Sequence, residues 1–273
     1  VKTSLLHSKA SSALYNEPSA KSEHIFRAVH PNNLVRVCLN TGEKSIFNLK
    51  ALTCYLDCST CVVPKGIVVV SGGCMDYGRD NELFDKVQSI DTKRDFAVRS
   101  HAPMVSQKSG HSTLYHKNYL YAIGPQATER CYLKQDRWDE LPSLPRACHE
   151  VSIVALEATN SLYALGFNHN EWGDYIQVLD LEHLTWEVKS LVYPAQFFLF
   201  GVTHFNVDER LLYIARDDGV YAYNPYSNAI EVVKKGVLSG NCESVTGYWF
   251  NGRLFSILKG GCVVKQAIAI ERR

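Results

Sequence analysis

The sequence predicts an all-β fold, a six-bladed β-propeller with four antiparallel strands per blade, formed by the 273 residues as one domain. Three observations predict it. Apolar runs of strand length recur six times along the chain. Turn residues interrupt the sequence about every 8 to 12 residues, and no long stretch keeps the apolar period of 3.6 that a helix requires. A four-stranded unit of about 45 residues cannot bury both of its faces alone, whereas stacking the units radially lets each cover its neighbours.

The elements follow in order. The second strand of each unit, B, is an apolar run starting at residues 24, 67, 119, 161, 211 and 253. Examples are Ile67-Val68-Val69-Val70, Tyr119-Leu120-Tyr121-Ala122-Ile123 and Leu211-Leu212-Tyr213-Ile214-Ala215, rich in β-branched and aromatic residues. A third strand, C, covers residues 35–40, 87–91, 130–133, 176–180, 220–224 and 264–271. A bulky residue then opens strand D: Ile46, Phe96, Trp138, Trp186 and Ile230. Strand A precedes B across tight turns such as Pro64-Lys65-Gly66, His116-Lys117-Asn118 and Asn251-Gly252. Asn and Gly tolerate the positive φ that such hairpins need.

The blades are expected at 9–52, 53–105, 106–146, 147–196, 197–239 and 240–273. The last blade supplies A (243–250), B (253–258) and C (263–271) and lacks D. Residues 11–15 serve as strand A of the first blade, leaving residues 2–6 spare. The economical expectation is that this spare strand becomes D of the sixth blade, pairing near residues 264–270 and covering an open edge.

Composition removes several function classes. A net charge of +1 provides no basic surface for nucleic acid. The longest apolar runs, residues 67–70 and 197–202, fall short of the roughly 20 residues that span a bilayer. The first seven residues are too short and polar for a signal peptide, and the missing initiator Met is expected of a domain from a longer protein or of a processed product. Nine cysteines, an odd number partly inside strand runs, suit buried reduced thiols and a cytoplasmic location.

Two segments carry a resemblance. Ile67-Val68-Val69-Val70-Ser71-Gly72-Gly73 resembles the Kelch signature of an apolar strand ending in a glycine pair. Residues 175–180 with Trp186 resemble the downstream strand and tryptophan of that repeat. Gly260-Gly261 keeps the pair, Gly124-Pro125 and Gly166-Phe167 keep half of it, and Ala215-Arg216 and Val29-His30 lose it. Six Kelch blades at this length resemble the C-terminal half of BTB–Kelch proteins. The resemblance implies a substrate-recruiting propeller for a cullin-based ubiquitin ligase, joined to the ligase through an N-terminal region outside this chain. It implies a binding module, not an enzyme, with no cofactor.

In this topology the B–C and D–A loops share one rim. The candidate partner-binding residues lie there: Tyr77, Arg79 and Asp80 in the B–C loop of blade two, His169 and Trp172 in that of blade four, and Arg146 and Arg216. Aromatics and arginines are favoured at interface hot spots, and arginine pairs carboxylates bidentately. Trp172 has the alternative of folding back over the core as a lid. The partner expected is a protein or acidic peptide.

The runner-up is a Kelch-fold enzyme or metal-binding propeller, with its site in the central channel or at Cys54, Cys58, Cys61 and Cys74, whose thiolates have the chemistry of a zinc site. The C-x3-C-x2-C spacing of the first three resembles the iron–sulfur motif of radical S-adenosylmethionine enzymes. Those enzymes are built on α/β barrels, and βα alternation is absent here. No G-x-S-x-G, phosphate loop or H-E-x-x-H is present, and no His is spaced from an acid and a nucleophile in a recognisable triad.

Overall fold

The computed structural model describes residues 24–38, 40–75, 82–148, 151–168, 173–190, 204–207, 211–216, 219–235, 245–250, 253–258 and 268–269. They form antiparallel strands and one 3₁₀ turn, Glu157–Thr159. No helix among them is long and apolar enough to cross a membrane.

The first sheet holds β1 (His24–Val29), β2 (Asn33–Cys38) and β3 (Lys44–Asn48). The second holds β4 (Ser59–Val63), β5 (Ile67–Ser71), β6 (Val87–Asp91) and β7 (Ala97–Ser100). The third holds β8 (Ser112–His116), β9 (Tyr119–Ile123), β10 (Thr128–Tyr132) and β11 (Arg137–Leu141). The fourth holds β12 (Val151–Leu156), β13 (Ser161–Asn168), β14 (Gly173–Asp180) and β15 (Thr185–Ser190). The fifth holds β16 (His204–Val207), β17 (Leu212–Arg216), β18 (Gly219–Asn224) and β19 (Ala229–Lys235). A last sheet holds β20 (Val245–Phe250), β21 (Arg253–Leu258) and β22 (Ile268–Ala269).

Each sheet is a meander in chain order, with every neighbouring pair of strands antiparallel. The tight A–B turns work as the sequence predicts. Lys65 and Gly66, and likewise Lys117 and Asn118, all take positive φ, the backbone of a two-residue hairpin turn.

The core lies between sheets. Along β5, Val68 and Val70 pack toward the first sheet with Phe26, Leu34 and Ile90. Their neighbours Ile67 and Val69 pack toward the third sheet with Leu120, Cys131 and Trp138. This period-two alternation between two apolar faces explains why B strands read as unbroken apolar runs. The third and fourth sheets bury Leu114, Ile123, Ile153 and Leu162 between them, and the fourth and fifth bury Leu165, Ile176, Leu212 and Ile214. A fully buried aliphatic side chain of this kind contributes about 1.5–3 kcal/mol.

Two expectations are corrected, and a third falls outside the described residues. Five sheets are developed blades with strands of four residues or more; the last ends in the two-residue β22, paired with β21 only at Arg253↔Ala269 and Leu254↔Ile268. Among the described residues, five blades and a partial sheet therefore stand in place of the expected six full blades. No N-terminal strand closes that sheet among the described residues; residues 2–6, and residues 11–15 expected as strand A of the first blade, lie outside them. Phe96 does not open strand D. It sits in the preceding turn with φ +54°, and its ring stacks on Phe47 of the first sheet at 4.0 Å. Packing across the blade boundary uses the aromatic that the pattern assigned to a strand.

Candidate functional site

The expected binding rim is built around the glycine pair. Gly72 has φ +59° and Gly73 φ +111°, conformations that residues with side chains rarely adopt. Space excludes a side chain as well. A Cβ on Gly72 would lie 2.6 Å from both the Lys108 carbonyl oxygen and His111 Cε1, and one on Gly73 would lie 2.6 Å from Tyr55 Cβ. The pair lets two D–A loops close on the B–C loop of the second blade. The Gly73 N–H donates to the Lys108 carbonyl, the Lys108 N–H to the Phe84 carbonyl, and the Phe84 N–H to the Gly73 carbonyl. On the other side Leu56 and Cys74 exchange both backbone hydrogen bonds.

A second device pins the D–A loops. Gln88, in strand C of the second blade, accepts the Thr53 N–H at 2.8 Å and donates to the Ala51 carbonyl at 3.1 Å. Gln177, in strand C of the fourth blade, accepts the Arg146 N–H and donates to the Arg146 carbonyl, at 2.8 and 3.0 Å. In the third blade the corresponding residue is Glu129, which accepts the N–H groups of Val105 and Ser106, each at 2.8 Å. A carboxylate cannot donate to a carbonyl, and Lys108 supplies the missing donor: its ammonium bonds both Glu129 and the Ser106 carbonyl. Both charged side chains are fully buried. Burial pulls the Lys108 ammonium below its ordinary range, and Glu129 opposes that shift. Two tryptophans add a further tie, Trp138 donating to the Ala102 carbonyl and Trp186 to the Pro142 carbonyl.

On this braced platform sit apolar groups facing solvent. Met75 is 52% exposed and Val105 is 54% exposed, in loops joined through residues 82–86. Tyr55 stacks on Phe84 at 3.6 Å between ring centres. Arg146 is exposed on the same rim, its guanidinium 5.6 Å from the Tyr175 ring centre, a cation–π arrangement. Of the sequence-predicted site residues, Arg146 is thus placed on the rim. Arg216 ends β17, with its backbone alone described. Tyr77, Arg79, Asp80, His169 and Trp172 lie outside the described residues.

The cysteine cluster divides. Cys54 and Cys58 come within hydrogen-bonding reach of each other, and the Cys54 thiol holds Cys58 below the usual thiol range. Cys61 packs in the opposite core layer, between the second and third sheets, and burial pushes its thiol up to about 12. The strand alternation that separates Cys61 from the other two prevents the four thiols from sharing one ion. Among the described residues no group of three or more His, Cys, Asp or Glu side chains is arranged to hold a metal.

Polar side chains also collect under the rim. Ser71 Oγ lies 3.0 Å from His111 Nε2 and 2.7 Å from Thr113 Oγ1, while Ser59 Oγ accepts the Thr113 N–H. Burial, aided by the Lys108 charge, pushes His111 down to about 3. Its Nδ1 is buried without a hydrogen-bond partner, so this cluster serves as polar packing and supplies no base.

Sequence reasoning missed a further grouping besides the clamp. Ser89 Oγ lies 2.7 Å from His101 Nε2, and His101 Nδ1 lies 3.1 Å from Asp136 Oδ1. The three residues come from a C strand, the end of a D strand and a turn of the next blade, so no local motif marks them. The available signal was the propeller register itself, which places a D-strand end against the neighbouring C–D turn.

Among solved structures, the chain is similar to that of YjhT. That structure, a propeller, superposes with a TM-score of 0.67 at 11% sequence identity, over 90% of this chain and 90% of that one. The fold is a β-propeller. At this identity the likeness extends to the fold alone. No protein-family model matches the chain, and no curated protein matches it either.

Proposed function

We propose that this propeller is a protein-interaction module that takes a protein or peptide ligand on the B–C/D–A rim. In the finer reading it is the substrate-recruiting propeller of a BTB–Kelch adaptor for a cullin-based ubiquitin ligase, a reading supported by the glycine pair and the tryptophan-bearing repeat. The observation that carries the interaction role is the platform itself. Met75 and Val105 present apolar side chains from loops whose backbones are hydrogen-bonded to one another and to buried side chains. Such loops lose little conformational freedom on binding, so more of the contact energy appears as affinity. Arg146 offers an acidic ligand a fixed cation at the same rim. Tyr77, Arg79, Asp80, His169, Trp172 and Arg216 are further candidate anchors.

The test is affinity capture with the purified domain, identification of the partner by mass spectrometry, and titration of that partner. The paired substitution Met75→Asp with Val105→Asp is expected to weaken the complex by about 2 kcal/mol or more, the scale of a hot spot, with an unchanged melting temperature. A partner that binds the doubly substituted domain as tightly as the original does not use this rim.

A further inference from the structure

The groove between the second and third blades contains the Ser89–His101–Asp136 chain. Ser89 lies at the centre of β6 and shares its face with Val87, which packs toward the third blade. His101 follows β7 and is fixed by its N–H, which donates to the Val87 carbonyl at 3.0 Å. Asp136 sits in the turn between β10 and β11 with φ +51°, its N–H bonded to the Tyr132 carbonyl at 3.1 Å. With Nδ1–H donating to the carboxylate, a neutral imidazole turns its Nε2 lone pair to the serine hydroxyl. That order of contacts is what activation of a serine requires, whichever fold supplies it.

Two further features surround the chain. The His101 and Asp136 side chains are 20% and 34% exposed, within reach of small reagents. They border a small pocket whose remaining wall is apolar and includes Val69, Val87, Leu120, Leu133 and Trp138. Val69 stands directly opposite Ser89 in the β5–β6 register, so the serine and the apolar wall share a sheet face. Arg99 stands directly opposite Ser89 on the other side, in the β6–β7 register, and is exposed. A cation one strand away on the same face is positioned to receive negative charge developing beside Ser89.

We propose that Ser89 is an acyl-accepting nucleophile, with His101 as its general base and Asp136 as the residue that positions the imidazole, acting on small activated esters. The Ser89 oxygen attacks the ester carbonyl carbon while its proton passes to His101 Nε2. The carbonyl π electrons move onto oxygen, which Arg99 stabilises. Collapse breaks the bond to the leaving alcohol, which takes the proton from His101, and the acyl group remains on Ser89. Water repeats the sequence, releasing the carboxylic acid and restoring the serine. The net reaction is ester and water to acid and alcohol. This activity is independent of the rim and of the interaction role.

The experiment treats the intact domain with an alkyl fluorophosphonate, which forms a Ser Oγ–P bond and expels fluoride. A single adduct mapped by peptide mass spectrometry to Ser89 is expected. His101→Gln is expected to slow labelling at least about 100-fold, within the usual range for loss of a general base. Asp136→Asn is expected to lower the limiting rate of labelling without changing the reagent concentration at half-saturation, a separation that a general loosening of the groove does not produce. Two results overturn the proposal: no adduct at Ser89 in the unmodified domain, or equal labelling rates in the domain and its folded His101→Gln form. The mapping on the unmodified domain decides the matter even if a substituted form fails to fold.

Discussion

The third blade and its neighbours hold the same loop with different chemistry. In the second and fourth blades one neutral amide, Gln88 or Gln177, both accepts from and donates to the backbone of the loop leading into its blade. In the third blade the task is split between a carboxylate and an ammonium, Glu129 and Lys108, with no exposure to solvent. A buried ion pair must recover the hydration of two charges, and it does so only with every remaining hydrogen bond in place. Here the carboxylate has two backbone donors and the ammonium a backbone acceptor besides their mutual contact. The comparison teaches that the fold specifies hydrogen bonds to the loop, and that different side chains can satisfy them with different sensitivity to damage.

The largest expected effect tests that sensitivity. Lys108→Met leaves a buried carboxylate without its counter-charge and is expected to cost about 3–5 kcal/mol in chemical denaturation. Adding Glu129→Gln to that variant rebuilds the neighbours' amide, and most of the loss is expected to return; a double variant as unstable as the single one would break the equivalence of the three blades. Next comes acid. His111 is held down to about 3 in the folded chain and returns toward 6.5 when unfolded. The unfolded state therefore binds the extra proton, so stability is complete above about pH 6.5 and declines as pH falls toward 3. The expected loss at pH 5 is about 2 kcal/mol. Burial lowers His116 too, which adds to the decline. His111→Gln should flatten this acid limb, read from denaturation curves at pH 7 and pH 5.

Gln177→Leu is expected to cost less, about 1–2 kcal/mol, since it orphans backbone groups of the exposed Arg146, which water can reach, and removes a weak bond to Cys148 Sγ. A loss as large as that of Lys108→Met would show that the neutral and charged clamps are equally brittle. The smallest effect is expected of Trp186→Phe, which removes the hydrogen bond to the Pro142 carbonyl and keeps a smaller aromatic ring: about 0.5–1 kcal/mol in the same measurement.

Much of the strand pattern was legible because period two, turn residues and apolar runs are local signals. The run Ile67-Val68-Val69-Val70 announced a strand, which the structure buries on both faces, whereas the close backbone approach at Gly72-Gly73 emerged only from the packed loops. The clamp was not legible. Gln88, Glu129 and Gln177 read as ordinary polar residues in strands, and their role appears only when the preceding loop folds back over them. The Ser89, His101 and Asp136 contacts depend on packing between blades, which no single repeat encodes. Cys61 misled for the reverse reason: nearness in sequence to Cys58 concealed the alternation that puts their side chains in different layers.

Each clamp belongs to the blade that its loop introduces: Gln88 holds residues 51 and 53, Glu129 holds 105 and 106, and Gln177 holds 146. A blade therefore travels with its own fixed loop. Duplication of a gene segment that starts at such a loop and ends with the following D strand would copy a surface together with the side chains that shape it. New recognition surfaces could then arise by exchange of whole segments between propellers, with no need to evolve loop and support separately.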